Sequence, residues 1–379
     1  MKIFSGKPQM LKEVNFSMIE RLVFEKGPLS KPELAKRTGL SLPTISKLVD
    51  DLERNARLSP IGRSGKGAGR KAMLYETNRN SGCLLACYYQ DGSFLCRLAD
   101  MLNNTLYEQR FPLDSGSFKR AINSTYYAID TLMGKAPAKV KIIGIGLPGV
   151  IRPDGSLLGI PQIPVWEGFN LKRILSARYK AAIYVENGVN LSALGYFFTH
   201  LWGKQDNLVY LYIGNGIGSG IILNKQLHRG SGNFSGEICF MAESRGMTGQ
   251  NYAAAGGYME NLMGKLVDYS TGEFKEKNNS VHRNELAAIL GTIIVNHVAL
   301  INPGVIVLAG KIFDKSLIKA ISRRMVYHLP EGIMPRLAYD SSTTTGLEGL
   351  ILSCRGDITT GVHLVQSTGL AQQPEKLAV

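Results

Sequence analysis

Four basic side chains on one glycine-rich stretch are the first residues of this chain that could do chemistry. Gly62-Arg63-Ser64-Gly65-Lys66-Gly67-Ala68-Gly69-Arg70-Lys71 carries Arg63, Lys66, Arg70 and Lys71 with almost nothing apolar between them. Such a backbone can follow a phosphate strand closely, and an arginine on it can enter a narrow A·T minor groove. A solvated flexible hairpin would have the same composition. A second set lies upstream. Ser41, Pro43, Thr44, Ser46 and Lys47 fall between the apolar positions of one helical stripe, at its N-terminal end. There a recognition helix presents side chains to base edges.

The elements needed to position both sets are legible around them. Asn15 is suited to cap a helix in which Met18, Ile19, Leu22 and Val23 share a face, and Gly27-Pro28 should stop it. Ser30, with Pro32 in the first turn and Glu33 three residues on, predicts a capping box and a short helix ending at Thr38-Gly39. Ser41 should cap a third helix buried through Leu42, Ile45, Leu48, Val49 and Leu52. Two short strands, Leu58-Ser59-Pro60-Ile61 and Met73-Leu74-Tyr75, then flank the basic loop. Three helices and a hairpin in this order predict a winged helix-turn-helix at residues 1–80.

Charge is distributed accordingly. The chain has 379 residues and a net charge of +14, and residues 1–80 hold 16 Lys+Arg against 8 Asp+Glu. Over half of the excess thus lies in about a fifth of the chain, the electrostatic footprint of nucleic-acid binding. The five cysteines (83, 87, 96, 239 and 354) form no CxxC pair, which reads as buried thiols in a reducing cytoplasm. The N-terminal residues lack the apolar stretch of a signal peptide. The longest apolar region, Leu286 to Gly310, is interrupted by Asn296, His297, Asn302 and Pro303. It reads as a buried helix, an Asn-Pro-Gly turn and a buried strand, not as a membrane span.

From residue 82 strands and helices alternate. Strands are expected at 84–89, 94–98, 140–146, 183–186, 208–213, 219–223 and 305–310, with helices over 118–132 and from about 189. This is an α/β pattern with a sheet in each half. The division expected is 1–80, 81–195 and 196–379.

The motifs in this region resemble those of the ROK family of repressors and sugar kinases. Gly144-Ile145-Gly146-Leu147-Pro148-Gly149 resembles its GxGxPG strand and loop, and Pro161-Gln162-Ile163-Pro164-Val165-Trp166 the segment that follows. Val185-Glu186-Asn187-Gly188-Val189-Asn190 resembles V-E-N-D-V-N, and Gly214-Asn215-Gly216-Ile217-Gly218-Ser219-Gly220 the second phosphate loop. Gly230 to Glu237 resembles the G-x-x-G-x-x-G-E segment, and Gly69-Arg70-Lys71 before Met73-Leu74-Tyr75 the family's wing. The resemblance implies a duplicated actin/hexokinase-like α/β domain behind the winged helix.

The departures carry as much information. The resemblance puts a kinase's catalytic base at the position of Gly188, and hydrogen cannot accept a proton from a sugar hydroxyl. Loss of a positioned base costs about 10²–10⁴ in rate. The early D-x-G-G-T phosphate hairpin is replaced by Tyr88-Tyr89-Gln90-Asp91-Gly92, and the threonines of the second loop by Tyr212 and Asn215. The glycines of that loop can serve a hairpin turn or a nucleotide. The family's zinc ligands are missing: Phe240 stands at the histidine position, and 241–250 contain no cysteine. Neither zinc nor ATP is therefore expected. The resemblance implies that Asn187, Glu237 and Gln250 match positions that hydrogen-bond sugar hydroxyls in the family. Alternatively Asn187 only caps the helix that follows, and Glu237 makes a structural hydrogen bond.

Taken with the basic head, these residues lead to an expectation of a cytoplasmic, non-enzymatic repressor of carbohydrate genes. It would bind a pseudo-palindromic operator as a homodimer or dimer of dimers and respond to a sugar or sugar phosphate. Two alternatives stay open: a sugar kinase with a DNA-binding appendage, and a regulator whose core only dimerises or docks a protein.

Overall fold

The computed structural model describes residues 8–63, 71–160, 162–242, 257–269, 271–275 and 279–360. The chain forms two compact units, one from residues up to Ser81 together with Arg355 onward, the other from Gly82–Cys354.

In the first unit α1 spans Pro8–Lys26. It begins a full two turns before Asn15, so Asn15 is not its cap: Pro8 suits a first turn, and Gln9, Met10, Leu11, Lys12 and Glu13 are good helix formers. Gly27, at φ +82°, ends it where expected. The two-residue strand β1 (Leu29–Ser30) leads into α2 (Lys31–Thr38), whose cap is the capping box expected of Ser30 and Glu33. The Ser30 N–H donates to Glu33 Oε2 at 2.8 Å, and Gly39 closes the helix in the left-handed conformation. α3 (Leu42–Arg54) is capped by Ser41 and buries Ile45, Leu48, Val49 and Leu52 against Phe16, Ile19, Val23 and Leu34. Leu42, expected on the buried stripe, is exposed because it precedes the first turn that packs. β2 (Leu58–Arg63) and β3 (Met73–Thr77) make an antiparallel hairpin, and β1 pairs with the other edge of β3. Arg57 ties the hairpin to α1 through Glu20, with Nε to Oε1 at 2.7 Å.

The second unit contains two five-stranded sheets. The first is built from β4 (Cys83–Gln90), β5 (Ser93–Asp100), β6 (Thr105–Pro112), β7 (Val140–Leu147) and, after the small β8 (Val150–Ile151) and β9 (Leu157–Leu158) pair, β10 (Ala182–Asn187). Its order is β10-β7-β4-β5-β6, antiparallel through β4-β5-β6 and parallel through β4-β7-β10. α4 (Phe118–Met133) and α5 (Leu171–Arg178) cover it, with Leu85, Phe94, Ile129, Ile145 and Trp166 at the centre. β6 was not expected. Almost all of it faces solvent, so its sequence carries no alternation to read.

α6 (Gly188–Tyr196) follows β10 directly. The second sheet then forms from β11 (Leu208–Gly214), β12 (Gly216–Leu223), β13 (Gln226–Leu227), β14 (Val305–Ala309) and β15 (Arg336–Asp340), in the order β13-β12-β11-β14-β15. Between β13 and β14 come α7 (Tyr258–Met263) and α8 (Asn279–Ile301), between β14 and β15 comes α9 (Lys315–Val326), and α10 (Thr345–Thr360) closes the fold. α8 is long and apolar enough to cross a membrane by composition, yet Leu286, Leu290, Ile293 and Ile294 are buried in the core beside Ile321 and Met325 of α9. Asn302, at φ +48°, makes the turn from α8 into β14. All five cysteines are buried free thiols.

Candidate functional site

On the first unit, the face of α3 opposite its core presents Pro43, Thr44 and Lys47 to solvent, with Ser46 half-buried. Ser41 is exposed too, but its hydroxyl accepts from Thr44 N at 3.3 Å and lies 2.8 Å from the Thr44 hydroxyl. Arg63 and Lys71 are exposed at the two ends of the hairpin loop, while Lys66 and Arg70 lie outside the described residues. Asp51, on the core side of α3, is held by Lys12 at 2.7 Å, which keeps its carboxyl below the usual range. Asp50 is paired with Lys31 and Asp51 with Lys12 and Arg54, and the exposed N-terminal half of the helix carries one cation and no carboxylate.

In the second unit Asn187 stands at the C-terminal end of β10, paired with Leu147 at the end of β7, at the crevice where open α/β sheets bind ligands. Asn187 ends β10, and its Oδ1 accepts from Val189 N at 2.8 Å and Asn190 N at 3.0 Å, capping α6. Its Nδ2 donates to Gly149 O at 2.8 Å, which ties the cap to the loop after β7. Gly149 itself, at φ +81°, would bring a Cβ within 2.7 Å of Gly159 O. The capping role of Asn187 is therefore present, leaving one amide hydrogen for any other partner.

Beside it Glu186 is buried and accepts from Asn190 Nδ2, the Asn187 N–H and, at 2.6–2.8 Å, two guanidinium nitrogens of Arg229. That ion pair went unread in the sequence, because 43 residues separate its members and nothing local marks Arg229. Glu237 is different. Among the described residues its carboxylate meets only the Cys239 thiol, at 3.9 Å, and burial, with Glu260 adding repulsion, raises its pKa to about 7. The segment carrying it is pinned to β12, since Ser219 N donates to Gly236 O at 2.7 Å. α6 packs on the same strand at Gly218 and Gly220, where a Cβ at 220 would come within 2.8 Å of Val189 O. One strand thus positions both Asn187 and Glu237. Gln250 lies outside the described residues.

The two loops that the resemblance assigns to nucleotide phosphates touch each other. Asn215 Nδ2, in the β11–β12 turn, donates to Asp91 Oδ1 in the β4–β5 turn at 2.7 Å, and Gln162 Nε2 donates to Asn215 O at 2.6 Å. Tyr88 fills the corner behind them. Its hydroxyl donates to Gly188 O at 3.2 Å and lies 3.4 Å from Ser192 Oγ, and burial pushes its pKa to about 12. A Cβ on Gly188 would stand 3.1 Å from that hydroxyl. The ring lies against Gly146 and against Gly346 at the start of α10, and a Cβ on either would overlap it. The tyrosine that replaces the first loop's aspartate therefore occupies the space in which a side chain at 188 would project. Phe240, at the expected histidine position, is over a third exposed and packs on Phe234 with ring centroids 5.2 Å apart.

Residues 93–333 match the sequence pattern of the ROK family. Among curated proteins, the chain is similar to the xylose repressor of Caldicellulosiruptor bescii, at 27% identity over 238 residues, which cover 62% of this chain and 59% of that one. It is similar to the xylose repressor of Bacillus subtilis at 24% identity over 371 residues, covering 90% of this chain and 96% of that one. The match to the Caldicellulosiruptor protein thus spans less than two thirds of that relative. Among solved structures, a ROK family transcriptional regulator described as a homologue of the Escherichia coli MLC protein superposes with a TM-score of 0.75 at 17% identity, covering 93% of this chain and 98% of it. A ROK hexokinase from Thermus thermophilus superposes at 0.58 and 19% identity, covering 73% and 99%. These likenesses establish the ROK-type α/β fold.

Proposed function

The chain belongs to the ROK family, and from that premise we propose that it is a sugar-responsive, sequence-specific DNA-binding repressor of carbohydrate-utilisation genes, working in the cytoplasm. The first unit is read as a winged helix-turn-helix over residues 1–80. Its α3 enters the major groove with Pro43, Thr44, Ser46 and Lys47, Ser41 fixing the start of the helix. Arg63, Lys66, Arg70 and Lys71 of the wing follow the phosphate backbone and an A·T-rich minor groove. The regulator names of the relatives favour this reading.

The observation that carries the non-enzymatic part is Tyr88 lying over Gly188. A kinase of this family would need a carboxylate at that corner and an open seat for phosphates between the two loops. Here the corner is filled by a phenol of raised pKa, and the loops hold each other through Asp91 and Asn215. The kinase reading is correspondingly weakened.

The effector is read as a neutral sugar held by Glu237 and Gln250, with Asn187 contributing its remaining amide hydrogen. Arg229, the cation beside this corner, is already engaged by Glu186, and a carboxyl titrating near 7 would repel a phosphate above that pH. Sugar binding between lobes 81–195 and 196–379 shifts the spacing of two readers in a homodimer or dimer of dimers on a pseudo-palindrome. The test is a thermal-shift panel of neutral sugars and sugar phosphates, followed by operator-fragment mobility shifts with each hit. A ligand at a hundredfold excess over Kd should stabilise the protein by about 2.7 kcal/mol. No shift with any sugar would favour a core that only dimerises or docks a protein.

A further inference from the structure

The second unit carries a groove that the sugar site does not use. It lies between α9 and the segment leading into β15, a shallow open depression of about 580 Å³. Among the described residues β15 is the last strand of its sheet and pairs with β14 alone, which leaves one row of its main-chain groups outside the ladder. Lys315, Lys319 and Arg323 form the rim, one above the other on α9 at about 6 Å per step. Ile318, Leu337 and the exposed Val326 and Met334 supply an apolar floor. Among the described residues no carboxylate lines the groove. Asp314, at the start of the helix, is taken by Arg283 and by the cap of α9.

Three aligned cations over an apolar floor, beside an unpaired strand edge, define what fits. A segment added to that edge would place alternate side chains over α9 every ~6.6–6.8 Å, close to the spacing of the cation row. Its main chain would bond to β15, its carboxylates would face the cations, and an apolar side chain would cover Val326 and Met334. A phosphate backbone offers nothing to the apolar floor. We propose that the α9–β15 groove docks an acidic, extended peptide segment of a partner protein, added as a strand at the edge of the second sheet.

The test uses the full chain and a fluorescein-labelled decapeptide alternating Glu with Ser and ending in Val-Leu, read by anisotropy. Saturable binding is expected, weakened at least tenfold in K319E/R323E and regained by that variant toward the same peptide with Lys for Glu. Both substituted residues are exposed, and an unchanged melting temperature verifies that the variant is folded. Absence of saturable binding, equal binding by the charge-reversed variant, or equal binding of a scrambled peptide would overturn the proposal. So would charge reversal that leaves the peptide unbound throughout but abolishes binding to random duplex DNA, to phosphatidylglycerol vesicles, or to a second copy in light scattering.

Discussion

Restoring a carboxylate at position 188 should destabilise the protein, and removing Tyr88 should relieve much of that cost. The Cβ of Gly188→Asp would stand 3.1 Å from the Tyr88 hydroxyl and 3.5 Å from Leu147 O, so the carboxylate beyond it must displace the phenol. The ring has nowhere to retreat, because Gly146 and Gly346 close on its other faces. Overpacking of this kind costs about 1–3 kcal/mol, with desolvation of the new carboxylate added to it. Tyr88→Ala alone should cost about 3–5 kcal/mol, as large aromatic truncations do. In the double variant the carboxylate occupies vacated space, so the combined loss should fall short of the sum by about 1–3 kcal/mol. Urea unfolding followed by tryptophan fluorescence is the assay. Both tryptophans, Trp166 and Trp202, lie in the second unit, so the signal follows that unit. Losses additive to within about 0.5 kcal/mol would refute the claim that Tyr88 and residue 188 compete for one volume. Phosphoryl transfer from ATP to sugars should stay at background in all three variants.

Other outcomes follow from the same geometry. Glu237 has a folded-state pKa raised from 4.5 to about 7, so the folded protein keeps that proton longer than the unfolded chain does. Its contribution is complete below about pH 4.5 and is lost as pH rises to 7, by at most about 3 kcal/mol. Glu237→Gln should flatten that decline in pH-dependent melting; an unchanged slope would show a solvated carboxylate. Asn187→Ala should cost about 1 kcal/mol through the lost cap of α6, while Asn187→Asp keeps the cap and loses the bond to Gly149 O, so calorimetry should rank Ala as the weaker protein. Replacing Arg63 and Lys71 by Ala should reduce the salt dependence of DNA binding by up to about 2 in log–log slope, whereas an unchanged slope would remove both from the phosphate contacts. Lys47→Ala should weaken operator binding by about 1–3 kcal/mol if it reads a base, measured against a random duplex.

Local chemistry was the part of this structure most open to reading. Ser30 with Glu33, Ser41, Gly27 and Gly39 mark helix ends through side-chain and φ preferences that act over three or four residues, and the helices end there. Asn15 misled because an Asn before an apolar run resembles a cap, while the helix-forming residues upstream carried α1 further back. β6 was invisible for want of a buried face. α10 carries Gly346 and Gly349, poor helix formers by themselves. Their reason is long-range: Gly346 makes room for Tyr88, and Gly349 for the backbone of α6. The site divided the same way. The chain order named Asn187, Glu237, Gly188 and Tyr88 as the positions of interest. That Tyr88 fills the corner at 188, that Asp91 meets Asn215, and that Arg229 neutralises Glu186 depend on topology joining residues 43 to 124 positions apart.

The central proposal is that this chain reads DNA under the control of a sugar. Selection of genomic fragments by the purified full chain, sequenced with and without each sugar that stabilises it, tests this directly. The expected result is enrichment of an A·T-rich inverted repeat upstream of transport or catabolic genes, with occupancy altered by one neutral sugar. Recovery of fragments no different from bulk DNA at moderate salt, with or without sugar, would contradict it.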